Sequence, residues 1–274
     1  MPLAPANATA IHYEVVGEGP ALCLIAGFRQ SSAAWPPAFL DRLARRHQVI
    51  SFDNRGTGRS PPTVGGYALD NQARDVTGLL DALGMGRVHL LGFSMGGAIA
   101  QEVATGYPDR VDRLVLFGTF CGGPWSTPAP WSVLRRLFAT EELTPEQAAR
   151  EAWPVTYSPD YLAANLEAVE HQMRRELVHP TPGFVASQQM EAIRRFDAYY
   201  ALPRVRSPTL VTTGAADVLV PPRNAATLAA RIRGARLELL NDLGHRAIWE
   251  APEEMAELIG DFLALANQQR ELAT

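Results

Sequence analysis

Short apolar runs alternate with amphipathic stretches over most of the chain. The runs at 21–26, 49–53, 88–93, 114–118, 209–214 and 237–240 are mostly apolar at successive positions and are bounded by Gly, Pro or Asp. That pattern marks strands buried on both faces, as in a parallel sheet. The stretch 11–16 alternates and predicts an antiparallel edge strand. Helical periodicity appears between these runs. Residues 38–46 place Phe39, Leu40 and Leu43 on one side, and 69–83 carry Val76, Leu79, Leu80 and Leu83. A helix over 95–105 stops at Gly106 and Pro108. Further helices are expected over 224–232 and 252–267. Strand–helix alternation predicts an α/β fold with right-handed crossovers.

Residues 120–202 break the alternation. No strand-like run survives there. Pro124, Pro128 and Pro130 mark turns, and helical patterns cover 161–177 and 183–200. Three of the five tryptophans (Trp125, Trp131, Trp153) and four of the seven tyrosines lie in this segment. Two readings fit: a helical sub-domain with its own aromatic core, or a cap whose aromatics face a pocket. A cap needs both. The expected organisation is a core built from 1–119 and 203–274, with a helical cap at 120–202.

Composition narrows the class. The chain has 274 residues, 47% of them hydrophobic and 20% charged, which is ordinary for a folded soluble domain. The 25 Lys and Arg against 29 Asp and Glu give a net charge of −4. The Arg pairs are scattered, so nucleic acid is not an expected partner. No apolar run approaches the ~20 residues that span a bilayer, and residues 1–10 lack the basic and apolar parts of a secretion signal. Cys23 and Cys121 form no metal-binding spacing and no disulfide framework. A reduced, cytoplasmic protein acting on a small molecule is expected, without metal or cofactor. Its oligomeric state is open.

The chemistry concentrates in Gly92-Phe93-Ser94-Met95-Gly96-Gly97, which follows one apolar run and opens a helix. This is G-x-S-x-G at a strand-to-helix turn. So tight a turn forces Ser94 into strained backbone angles and excludes bulk two residues before and after it. The hydroxyl then stands clear of the sheet edge. The helix points its positive end at the site, and the Met95 amide can receive an oxyanion.

A serine hydroxyl needs a base, and a histidine base needs a carboxylate to hold its tautomer. Of six histidines, His245 lies in a loop just past the last apolar run, where open α/β sheets keep their sites. Asp217 occupies the equivalent loop one strand earlier. Asp242 competes as the acid, being three residues from His245, but suits a loop-bracing role better. The order Ser94, Asp217, His245 is the nucleophile–acid–histidine order of one fold.

With these residues the chain resembles the α/β-hydrolase superfamily over nearly its whole length. The matching pieces are residues 92–97, Ala26-Gly27-Phe28, the Asp53–Ser60 turn, the 107–111 segment and the Asp217 and His245 loops. The nearest likeness is to small bacterial enol-lactonases, cofactor-free haloperoxidases and ester-cleaving enzymes. The resemblance implies a mostly parallel sheet flanked by helices, with a helical cap inserted after the sixth strand. It implies a second oxyanion amide at Phe28, in a loop with Ala26-Gly27 where that family usually has His-Gly. Asp53 becomes a structural turn residue. The polar Arg29-Gln30-Ser31 that follows can reach a substrate carboxylate or carbonyl, with Arg29 the substrate-binding candidate, but solvent exposure is the expected reading for all three. Trp125, Trp153 and Trp249 are candidate pocket residues, Trp249 with a core role as its alternative.

The implied activity is serine hydrolysis of a carboxylic ester, lactone or thioester through an acyl-enzyme. C–C bond hydrolysis and cofactor-free perhydrolysis reuse the same triad. A serine at position 94 argues against the aspartate-nucleophile chemistry of epoxide hydrolases and dehalogenases. A non-hydrolytic binder or lyase on the same fold is the alternative of another class.

Overall fold

A computed structural model describes residues 2–138 and 143–271. Eight strands form one sheet: β1 (Leu3–Ala6), β2 (Thr9–Val16), β3 (Ala21–Ile25), β4 (Gln48–Phe52), β5 (Val88–Phe93), β6 (Val111–Phe117), β7 (Thr209–Gly214) and β8 (Arg236–Leu240). Their order is β1-β2-β4-β3-β5-β6-β7-β8. The β1–β2 and β2–β4 pairs are antiparallel and the rest parallel.

Helices fill the connections. They are α1 (Pro37–Ala44), α2 (Leu69–Ala82), α3 (Met95–Gly106), α9 (Arg223–Arg231), α10 (Ala247–Glu250) and α11 (Pro252–Glu271). Between β6 and β7 come α4 (Trp131–Phe138), α5 (Pro145–Thr156), α6 (Pro159–Ala164), α7 (Leu166–Glu176) and α8 (Gly183–Arg195). No helix among the described residues is long and apolar enough to cross a membrane.

Period-two alternation sorts each central strand onto two cores. Leu22 and Leu24 of β3 and Leu91 and Phe93 of β5 join the layer containing Trp35, Phe39 and Ile259. Cys23, Ile25 and Leu90 join the opposite layer, with Val76, Leu80 and Ile99. At about 25 cal/mol per Å² these two apolar layers are the main favourable term of folding.

Several boundaries differ from the sequence pattern. β1 was not expected: it is four residues long and contains Pro5, which suits an edge position. β6 starts at Val111 rather than 114. β8 is apolar in sequence yet forms the outer edge, with Leu237 and Leu239 exposed. The helix expected over 183–200 ends at Arg195. The chain then turns extended, and the Ala198 N–H donates to the Cys121 carbonyl.

Candidate active site

Ser94 is the single residue between β5 and α3, with φ 54° and ψ −120°. A non-glycine residue held there costs about 1–3 kcal/mol. Neighbouring groups hold it in place. Its N–H donates to the Phe117 carbonyl (2.9 Å), and its carbonyl accepts from Thr119 Oγ1 (2.7 Å) and the Gly97 N–H (2.9 Å). A Cβ on Gly92 would lie 2.4 Å from the Gly96 carbonyl oxygen, and one on Gly96 would lie 2.1 Å from the Ile25 carbonyl oxygen. The glycines of the motif are therefore required by backbone approaching backbone. The Met95 amide opens the helix, where an N–H has no carbonyl partner within the helix.

His245 and Asp217 meet from the loops after β8 and β7. The imidazole Nδ1 lies 2.7 Å from Asp217 Oδ2, with both side chains buried. Thr213 Oγ1 donates to the same oxygen (3.1 Å), and the N–H groups of Leu219 and Val220 donate to Oδ1 at 2.9 and 2.7 Å. Four donors thus fix the carboxylate. With Nδ1 engaged, Nε2 is the nitrogen left for other chemistry. Asp242, the competing acid, is exposed in a left-handed backbone conformation and makes no hydrogen bond to His245.

The 27–30 turn supplies the third part. The Gln30 N–H donates to the Gly27 carbonyl (3.2 Å), and Gln30 Oε1 accepts from the Gly27 N–H (3.1 Å). Asn54 Nδ2 donates to the Ala26 carbonyl (3.0 Å). These bonds brace the loop at Ala26-Gly27. Arg29 adopts φ 59°. Its N–H donates to Gln189 Oε1 of α8 (3.0 Å), and its carbonyl accepts from Thr181 Oγ1 (3.0 Å). Gln30 and Ser31 are buried, against the expectation of exposure: the Gln30 side chain serves the turn itself, and the Ser31 carbonyl accepts from the Ala34 N–H (3.0 Å). Asp53 is equally structural. It accepts from the N–H groups of Ser32 (2.6 Å) and Arg59 (2.7 Å) and lies 3.2 Å from His12 Nδ1.

A cavity of about 760 Å³ opens at this edge of the sheet. Phe28, Arg29, Ser94 and His245 lie on its wall, facing residues of α4, α5, α7 and α8 such as Trp131, Trp153, Met173 and Met190. The three tryptophans singled out from the sequence separate. Trp153 lines the cavity. Trp125 does not: it stacks on Tyr199 at 4.3 Å, outside the cavity wall. Trp249 is core. Its Nε1 donates to the Ala34 carbonyl (2.7 Å) and its ring stacks on Trp35 at 5.9 Å. Trp131 was part of the aromatic cluster but was not singled out, and 75% exposure makes it a rim residue.

The sequence reading also missed Arg246 and Glu176. They pair in a bidentate bridge of 2.8 and 2.9 Å on the cavity wall, and Arg246 Nη1 also donates to the Tyr157 hydroxyl (3.1 Å). Burial alone lowers the Arg246 pKa, but Glu176 and Tyr157 outweigh it and raise it. Burial pushes the Tyr157 hydroxyl up to about 12, so it stays neutral. Arg246 directly follows the base candidate in a stretch with no recognisable motif, so only the fold reveals the pair.

Comparison with known proteins agrees with this architecture. The family model for the alpha/beta hydrolase fold matches residues 20–252. A "Putative carbamate hydrolase RutD" of Stutzerimonas stutzeri (strain A1501) is 30% identical over 93% of this chain and 97% of the relative. A 2-hydroxy-6-oxo-6-phenylhexa-2,4-dienoate hydrolase of Comamonas testosteroni is 31% identical over 92% of this chain and 91% of its own length. The enol-lactonase structure from Burkholderia xenovorans LB400 superposes with a TM-score of 0.84 at 25% identity, covering 96% of this chain and all of that one. The chain belongs to the α/β-hydrolase fold family and is a hydrolase of that family.

Proposed function

We propose that the protein is a serine hydrolase that cleaves a carboxylic ester, lactone or thioester through an acyl-enzyme. One observation carries this reading: a strained serine and a carboxylate-held histidine line the same largely apolar cavity. Ser94 Oγ attacks the carbonyl carbon while His245 Nε2 takes its proton. Asp217 keeps the imidazole in that tautomer and stabilises the cation that forms. The amides of Phe28 and Met95 receive the oxyanion. His245 then protonates the leaving alcohol or thiol, and water repeats the sequence to free the acid and Ser94. Cofactor and metal have no role in this scheme. The residues from α4 to α8 act as a cap that sizes the acyl or alcohol group.

C–C bond hydrolysis is the second reading, supported by the 31% identical relative named as a dienoate hydrolase. It needs the same proton carrier but a β-diketone-type substrate. The carbamate hydrolase name of other relatives makes a carbamate a further substrate to try.

The test is a graded set of p-nitrophenyl esters, lactones, a carbamate and a vinylogous β-diketone, run with the wild-type protein and with Ser94→Ala. Ester or lactone turnover should fall on the order of 10⁴–10⁶-fold in the variant, and a fluorophosphonate probe should label wild type alone. Near-wild-type turnover in Ser94→Ala ends the proposal. Turnover of the diketone alone moves the assignment to C–C cleavage.

A further inference from the structure

Among the described residues, the cavity wall carries one charge that nothing on it balances. Arg246 is matched by Glu176, and Arg194, outward on α8, by Glu191. His245 is matched by Asp217. Arg29 has hydrogen bonds through its backbone only. Among the described residues its guanidinium has no ion pair and no hydrogen bond. Burial lowers its pKa, as expected for a cation partly removed from water with no anion beside it. Its backbone is also unusual: φ 59° at the third position of the 27–30 turn is a conformation that glycine adopts without strain and arginine does not. The side chain therefore projects from a strained residue adjoining the Phe28 amide.

We propose that Arg29 binds a carboxylate of the substrate, set a few atoms from the scissile carbonyl and joined to it by hydrocarbon. The proposal rests on the acyl-hydrolase reading of this cavity. A planar carboxylate pairs with both edge N–H groups of a guanidinium, which gives orientation as well as attraction. The rest of the wall is largely apolar, with Phe28, Trp153, Met173 and Leu219 among its residues. It suits the hydrocarbon part and, among the described residues, offers no second free cation for the anion. The substrate class is a half-ester or lactone of a dicarboxylic acid. Position supplies the specificity: the anion site and the oxyanion amide sit on adjacent residues. An acyl group held at Arg29 therefore presents its carbonyl to Phe28 and Ser94.

Two measurements test this, and they fail separately from the triad reading. In the first, wild type and Arg29→Gln hydrolyse p-nitrophenyl hydrogen glutarate and the neutral p-nitrophenyl pentanoate. Wild type should prefer the anionic ester in kcat/KM. Arg29→Gln should shrink that ratio ten- to hundredfold, mainly through KM, and Arg29→Lys should restore part of it. Raising salt from about 50 mM to about 500 mM should also reduce the wild-type ratio. A turn that merely needs the residue for folding would lower both esters together in Arg29→Gln, and Arg29→Gly, which relieves the backbone, would then match wild type. That result overturns the proposal, as does a wild-type ratio near one.

In the second, calorimetry on Ser94→Ala compares monomethyl glutarate with dimethyl glutarate. The half-ester should bind at least tenfold more tightly, and the difference should vanish when Arg29→Gln is added. Equal binding overturns anion recognition even if hydrolysis is intact. Preferential binding without hydrolysis in the wild type keeps the anion site and removes the acyl-hydrolase reading.

Discussion

Glu250 and Ser158 join the loop that carries His245 to the helical insertion. Glu250 Oε1 accepts from the Ser158 N–H at the start of α6 (3.0 Å) and from the Gly244 N–H, next to His245 (3.0 Å). The other oxygen accepts from Ser158 Oγ (2.5 Å). One carboxylate thus fixes the approach of the imidazole and the joint between α5 and α6.

Removing that carboxylate should damage both. Glu250→Ala leaves two buried N–H groups unsatisfied, at about 1–3 kcal/mol each. Slack at His245, the proposed base, should lower kcat by about 10–100-fold. Glu250→Gln keeps one accepting oxygen and can donate to Ser158 Oγ, so its loss should be several-fold smaller. Urea unfolding and ester kinetics on the two variants check this. Equal behaviour of Ala and Gln would show that the bonds do not matter.

Asp217→Asn keeps the shape of the carboxylate but presents an amide to Nδ1. The imidazole then takes the wrong tautomer, and kcat should fall by about 10³–10⁴-fold with the fold intact. Asp242→Asn should stay within about twofold of wild type, since Asp242 is exposed and does not bond to His245. A large loss at Asp242 with little at Asp217 would exchange their roles.

Acid should weaken the fold through His47. Burial lowers its pKa, and the nearby Arg46 charge adds to this, against a hydrogen bond to the Leu43 backbone that raises it. Its Nδ1 is buried without a partner, and the ring packs edge-on against His89 at 5.9 Å. The unfolded chain takes up a proton at about pH 6.5 that the folded chain refuses until a lower pH. His47 therefore costs no stability above about pH 6.5, and it subtracts stability as pH falls from there towards the folded value. His47→Gln should show a smaller loss of urea stability between about pH 7.5 and about pH 5.5 than wild type. An unchanged or steeper loss would assign the acid sensitivity elsewhere.

Much of this site was legible because it depends on short-range pattern. The 88–93 run, the small residues around Ser94 and the helix stop at Gly106 and Pro108 are local signals, and β5 and α3 lie where they point. The loops holding Asp217 and His245 follow from strand counting, and the structure brings the two residues together. Identity and partner of individual aromatics were not legible. Trp249 stands one helical turn after His245 in sequence, yet its ring turns inward to Trp35, more than two hundred residues away. Trp125 is claimed by Tyr199 in the same way. Such pairings depend on packing between distant segments, which no periodicity records. β8 shows the converse: its composition resembles a buried strand, but its place in the sheet order leaves it exposed.

The bonds from Gln189 and Thr181 to the peptide groups flanking Arg29 have a practical consequence for engineering. The α8 side of the cavity wall and the turn that carries the Phe28 amide are fastened to each other. Grafting α8 from a relative in order to change chain-length preference would loosen that turn unless residues 27–30 travelled with it. A successful chimera would have to exchange the two segments as one piece.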